Sequence, residues 1–199
     1  MSTLPPSPRR AAHDIAPVFT SRWSPRSFTG EDIPDAVLLT AFEAARWAPS
    51  GFNLQPWRFV YSKRGSASWA TFVNLLSSSN RAWAEKASAL ILVASQTHLV
   101  WNGERAPARS HSFDSGAAWS NFAHQASVLG WHTHGIGGFD HAAAREALRI
   151  PDDFATEAII AIGKLAPADA LPEALRQREF PSDRLPLSQL VGADVFPAA

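Results

Sequence analysis

The segment "SRWSPRSF", residues 21–28, sets Arg22, Ser24 and Arg26 two apart. In an extended chain, residues at that spacing project from the same side. Two guanidinium forks and a hydroxyl on one side suit an anion such as a phosphate, because Arg donates paired hydrogen bonds to phosphate oxygens. The alternative is a pair of solvated surface arginines. A second polar group is "APSGFNLQPW", residues 48–57. Ser50, Asn53 and Gln55 carry groups that can read the edge of a heterocycle, and Gly51 would let the backbone approach a ligand. The same residues could form a capped turn that satisfies only its own backbone. A third is "HGIGGFD", residues 134–140, where the adjacent Gly137 and Gly138 expose backbone N–H groups suited to a ring nitrogen or an anion. It also reads as a plain turn. It is not a GxGxxG fingerprint, which disfavours a Rossmann site.

His132 and His134 could share one side of a strand, but no nearby Cys or carboxylate pair completes a zinc ligand set. They are expected to be loop or surface histidines, and no metal is assigned. A Ser-His-Asp triad cannot be chosen from spacing.

The elements that must position these groups follow from periodicity. "IPDAVLLTAFEAARW", residues 33–47, reads as a helix with Val37, Leu38, Ala41, Ala44, Ala45 and Ala48 on one apolar face, stopped by Pro49. Residues 57–62 read as a strand, 68–79 as a helix and 87–95, a continuous apolar run, as a central strand. Residues 101–114 read as a long polar loop, and such loops tend to be functional lids or disordered. A helix over 115–131 closes at Gly130, a natural C-cap. "THGIGGFD" reads as a glycine-rich turn, Asp140 caps a short helix beginning at His141, and 157–166 reads as a further strand. Prolines at 167, 172, 181, 186 and 197 predict an extended tail. The whole reads as one α+β layered domain over 18–199, preceded by a mobile arm over 1–17.

At 199 residues the chain suits one domain, and a hydrophobic content of 46% marks it as globular. Eight Trp and twelve Phe against one Tyr suit cores, interfaces and flat ligands. The absence of Cys excludes disulfides and thiolate metal sites and favours a cytoplasmic location. Lys and Arg balance Asp and Glu at 18 each, which gives no basic field for nucleic acid. No apolar run reaches membrane-spanning length, and the N-terminus lacks the apolar core of a secretory signal.

Taken in order, these elements resemble the nitroreductase family. The motifs are Arg22-x-Ser24-x-Arg26, "RWAPS" at 46–50, "NLQPW" at 53–57, "NRAW" at 80–83, "VLGW" at 128–131, "GIGGFD" at 135–140, "IGK" at 162–164 and "DRLP" at 183–186. The resemblance implies an FMN-dependent homodimer with an α+β fold around a mainly antiparallel sheet, two flavins lying in the interface. It implies that Arg22 and Ser24, with Trp23 beside them, hold the phosphate, and that Arg26 reaches the ribityl and pyrimidine edge. Asn80 would bond the flavin ring, Gly137 and Gly138 would present a backbone N–H to flavin N5, and Arg184 would be the second phosphate arginine. Many members carry a basic residue two positions before it, where this chain has Ser182. Pro49, Ser50, Gly51 and Asn53 would be lent to the partner subunit's flavin. The implied activity is hydride transfer from NAD(P)H to nitroaromatics, quinones or a similar small acceptor, with no side-chain nucleophile. Alternatives are flavin fragmentation or reductive dehalogenation on the same fold, or flavin binding without turnover.

Overall fold

The computed structural model describes residues 8–197. Its centre is a four-stranded antiparallel sheet of β1 (Trp57–Lys63), β2 (Ala89–Gln96), β5 (His132–Ile136) and β6 (Phe154–Gly163), in the order β1-β2-β6-β5. The continuous apolar run foreseen at 87–95 is β2, buried almost from end to end because helices cover both faces of the sheet. Its side chains divide with a period of two. Leu90, Leu92 and Ala94 enter one core with Phe72, Trp83, Ile159 and Ala161. Ala89, Ile91 and Val93 enter the other with Phe122, Trp131, Ile160 and Ile162.

The first core is covered by α3 (Trp69–Leu75), α4 (Ser78–Ala84) and α6 (His141–Ala147). The second is covered by α2 (Asp35–Arg46) and α5 (His111–Val128), which pack against each other. In α2 the foreseen apolar face is real, with Leu38, Ala41 and Ala45 buried. A short α1 (Val18–Ser21) precedes the arginine segment, and a tail with a short α7 (Glu173–Arg176) follows the sheet. This is the α+β, mainly antiparallel architecture expected from the sequence.

Four local expectations are corrected. Residues 101–114 are not one long loop. His98–Trp101 (β3) and Glu104–Pro107 (β4) form a hairpin, and α5 already begins at His111. The turn is Asn102-Gly103, both with positive φ (50° and 83°), the conformation that a two-residue hairpin requires. The helix expected over 68–79 is broken at Leu76, whose extended backbone bridges to Phe139. Residues 132–136 are a strand rather than part of a turn. His132 and His134 pair with Gly163 and Ala161, so only Gly137 and Gly138 remain to turn the chain. The last strand spans 154–163 rather than 157–166. Gly130, at φ 73°, does close α5, and Asp140 does cap α6 by accepting from Ala143 N at 2.9 Å. Of the arm expected over 1–17, residues 1–7 lie outside the described residues, while 8–17 lead into α1.

Candidate functional site: an arginine-lined cleft beside β5

The arginine segment is held in place by the end of the sheet. Phe28 bridges to Leu165, Ala166 N donates to Ser27 O at 3.0 Å, and Ser27 Oγ donates to Pro167 O at 2.7 Å. Glu179 accepts from the backbone N–H of both Arg26 and Ser27 at 2.8 Å, which ties the tail to the same place. From β5, His134 Nδ1 donates to Pro25 O at 2.9 Å, and its ring packs on Trp83 with centroids 4.6 Å apart. These bonds fix residues 22–26 as an extended rail, and Arg22 Nη1 meets Ser24 Oγ at 3.2 Å on one side of it.

That side faces a cleft of about 330 Å³ lined by Arg9, Arg22, Arg26, Arg178 and Arg184, together with Trp23, Ser24 and His134. Among the described residues no carboxylate lines it. A second hollow of about 420 Å³ shares Arg22, Ser24 and Arg184 and continues to Trp119, His124 and Gly135. In a chain whose charges balance, five guanidinium groups around one cleft concentrate positive potential where an anion would relieve their repulsion. Burial, and then the charges of Arg9 and Arg184, lower the pKa of Arg22 from its ordinary value. His124 is lowered by burial and then by Arg22. Burial is also the main cause for His134, with Arg26 and Arg22 adding to it against the opposing bond to Pro25 O. The lowered pKa favours the neutral His134 ring, whose Nδ1 faces Pro25 O.

At the far end of β5, Gly137 and Gly138 turn against α4. Asn80 Nδ2 donates to Gly138 O at 3.0 Å, and Ser77 N donates to the same oxygen at 3.1 Å. A Cβ at Gly138 would lie 2.6 Å from Asn80 Nδ2, whereas one at Gly137 would meet nothing within 4 Å. Position 137 thus has open space where a side chain would stand, while a side chain at 138 would have to displace the Asn80 amide.

The structure therefore gathers Arg22, Trp23, Ser24, Arg26 and Arg184 in one cleft and sets Asn80, Gly137 and Gly138 together at the end of the neighbouring strand. It does not bring Pro49, Ser50, Gly51 and Asn53 to that cleft within one chain. They form a separate outward turn on the N-terminal end of α5. Ser50 Oγ accepts from Gln55 N at 3.1 Å, and Gly51 N donates to Asp114 Oδ2 at 3.1 Å. Phe52, Asn53 and Gln55 all have positive φ (52°, 56° and 49°), a costly backbone for residues with side chains. Phe52, at its crest, is 81% exposed. The local-capping reading of Ser50 holds, and the crest of the turn is solvent-exposed.

Sequence reasoning did not find Arg9, His134, Arg178 or Asp114. Arg9 lies in a segment that reads as mobile, and His134 reads from the sequence as a loop or surface histidine. Asp114 looked like one polar residue of a loop, yet it is 4% exposed and is the acceptor that anchors Gly51 from 63 residues away.

The nitroreductase family model matches residues 19–70, a span that holds both the arginine rail and the outward turn. A crystal structure described as an oxidoreductase containing FMN superposes with a TM-score of 0.92 at 46% identity, covering 94% of this chain and 96% of that one. The chain belongs to the nitroreductase family. A protein of Thermus thermophilus named NADH dehydrogenase is 27% identical over 85% of this chain and 91% of its own length. A protein of Desulfovibrio desulfuricans, solved in complex with FMN, has a TM-score of 0.73 at 25% identity and covers 92% of this chain and 100% of that one. Within this nitroreductase-family chain, the region that matches the family model supplies the rail and the turn, while Arg184 comes from outside it.

Proposed function

We propose that this chain binds FMN and works as an NAD(P)H-dependent oxidoreductase on nitroaromatic, quinone or similar small acceptors. The observation that carries this reading is the arginine-lined cleft, with no carboxylate among its described lining residues and with His134 in its wall, on the strand that ends at the Gly137-Gly138 turn. The donor set fits a phosphate monoester joined to a flat heterocycle. Arg22, Ser24 and Arg184 would hold the phosphate, with Trp23 packed beside it, and Arg26 would reach the ribityl chain and pyrimidine edge. Asn80, oriented by its bond to Gly138, would take one ring edge. When bound, FMN supplies the hydride-accepting and electron-donating chemistry.

The chain's own part is to bind, orient and polarise. Guanidinium groups near the pyrimidine edge would favour negative charge there. The Gly137 backbone would set the height of the ring above the sheet, with no side chain in the way. No side chain is asked to act as a nucleophile.

The same reading includes a homodimer. The turn 49–53 is held in a costly conformation and leaves Phe52 exposed and outside the lining of its own cleft, which suits a wall lent to a partner's site. Trp47, 72% exposed, stands at the same place. No helix among the described residues is long and apolar enough to cross a membrane, and we place the protein in the cytoplasm, where NAD(P)H is supplied.

The test is the visible spectrum of the purified chain, without air, before and after NADPH and NADH. Oxidised flavin absorption that bleaches on addition and returns with a quinone or nitroaromatic supports the reading. A chain that stays colourless after incubation with FMN would refute it. Bound FMN that neither nucleotide bleaches would leave a binding protein without turnover.

A further inference from the structure

The segment before α1 reads from sequence as a loose arm, yet it carries one of the arginines of the cleft. Arg9 Nη1 donates to Arg22 O at 2.8 Å and to Thr20 O at 3.4 Å, so its guanidinium is held against the backbone of the rail. From there it lines the same cleft as Arg22, Ser24 and Arg184. Arg184 is steered into place from the other side by Ser182, whose carbonyl and hydroxyl accept from its Nη1 at 3.2 and 3.4 Å. Ser182 orients that arginine but brings no charge of its own. Asp183 is the nearby carboxylate, and it accepts from Arg184 N at 2.9 Å.

We propose that Arg9 is an anion-binding residue of the cleft, so that a phosphate bridging Arg9, Arg22 and Arg184 fastens residues 8–17 to the domain. The like charges that oppose one another around the cleft support it. Burial and then Arg184 lower the Arg9 pKa, with Asp183 pulling the other way, and Arg9 in turn lowers Arg22. A dianion placed among the three converts that repulsion into charge-assisted hydrogen bonds. The arm then has a condition for order, since its end is held both by backbone acceptors and by the ligand. This inference rests on the FMN reading for the identity of the ligand, but not for its phosphate chemistry.

The experiment uses the full chain freed of bound flavin, with Arg9→Gln and Arg9→Lys beside it, each checked for folding by circular dichroism. FMN, riboflavin and inorganic phosphate are titrated, with flavin fluorescence and trypsin cleavage after Arg10 as readouts. Arg9→Gln should weaken FMN about tenfold or more and leave riboflavin unchanged, while Arg9→Lys should recover part of the loss. FMN and phosphate, but not riboflavin, should slow cleavage after Arg10. Equal FMN affinity in Arg9→Gln, or equal losses for FMN and riboflavin, would overturn the proposal. A chain that ignores FMN altogether would sink the flavin reading alone. The Arg9 proposal would then stand or fall on whether phosphate protects the arm.

Discussion

Asn80 and Gly138 stand in contact across 58 residues of sequence, amide to carbonyl at 3.0 Å, so close that a Cβ at position 138 would lie 2.6 Å from the Asn80 amide nitrogen. The contact joins the start of α4 to the end of β5 and so fixes the height of the glycine turn. Gly138→Ala should push Asn80 aside, at a stability cost of about 0.5–1.5 kcal/mol for the lost bond. Gly137→Ala should cost little, because a Cβ there meets open space. Urea melts of the two variants separate them, and equal midpoints would dissociate Asn80 from the turn.

Gly137→Pro removes the backbone N–H and restricts φ without touching the arginine cleft. FMN should remain bound, while anaerobic reduction by NAD(P)H should be far slower than in Gly137→Ala. Stopped-flow traces on flavin-loaded, folded protein make the comparison. Equal rates would reduce the feature to a turn with no part in the chemistry.

Arg22 lies at the centre of the cleft, bonded to Ser24 Oγ and neighboured by Arg9 and Arg184. Arg22→Ala should weaken FMN by about 1.5–3 kcal/mol, the range for a hydrogen bond to a charged group. Riboflavin, which has no phosphate, should lose much less. Calorimetric titration of both flavins reads the difference, and an unchanged Kd for FMN would return Arg22 to the ordinary surface.

Asp114 anchors the outward turn by accepting from Gly51 N and, at 2.9 Å, from Ser110 Oγ. Asp114→Ala leaves both donors without that acceptor and should cost about 1–3 kcal/mol. The amide of Gly51 should then exchange faster with solvent. If the turn 49–53 walls a partner's site, the variant should also dimerise more weakly. Light scattering of the unmodified chain should give twice 21.6 kDa. A flavin-loaded monomer would contradict the shared wall.

His124, His132 and His134 all have pKa values lowered chiefly by burial. As pH falls below their ordinary value of 6.5, the unfolded chain takes up protons before the folded chain does. Stability present above that pH should therefore be lost progressively as the solution is acidified toward the folded values. Urea midpoints should fall between about pH 7 and about pH 5, and His134→Gln should flatten that slope. An identical slope in the variant would assign the acid sensitivity to other groups.

The sequence by itself determined the sheet's central strand, the apolar face of α2, the caps at Gly130 and Asp140, and the shared side of Arg22 and Ser24. Each of these depends on neighbours within a few residues, where period, turn chemistry and capping act directly. It also carried enough ordered motifs to point to the family. The Asn102-Gly103 hairpin is equally local, but its signal sits inside a polar stretch that reads as loop. Tertiary structure decided the rest. Leu76 leaves its helix because Phe139 offers it a backbone bridge, and residues 132–136 become a strand because β6 has an open edge to pair. Arg178 and Arg184 meet Arg22 because Glu179 and Pro167 tie the tail to Arg26 and Ser27, and Arg9 joins them through its bonds to Arg22 O and Thr20 O. Such long-range neighbours have no spacing to read, since the distance between them is set by packing and not by the order of residues.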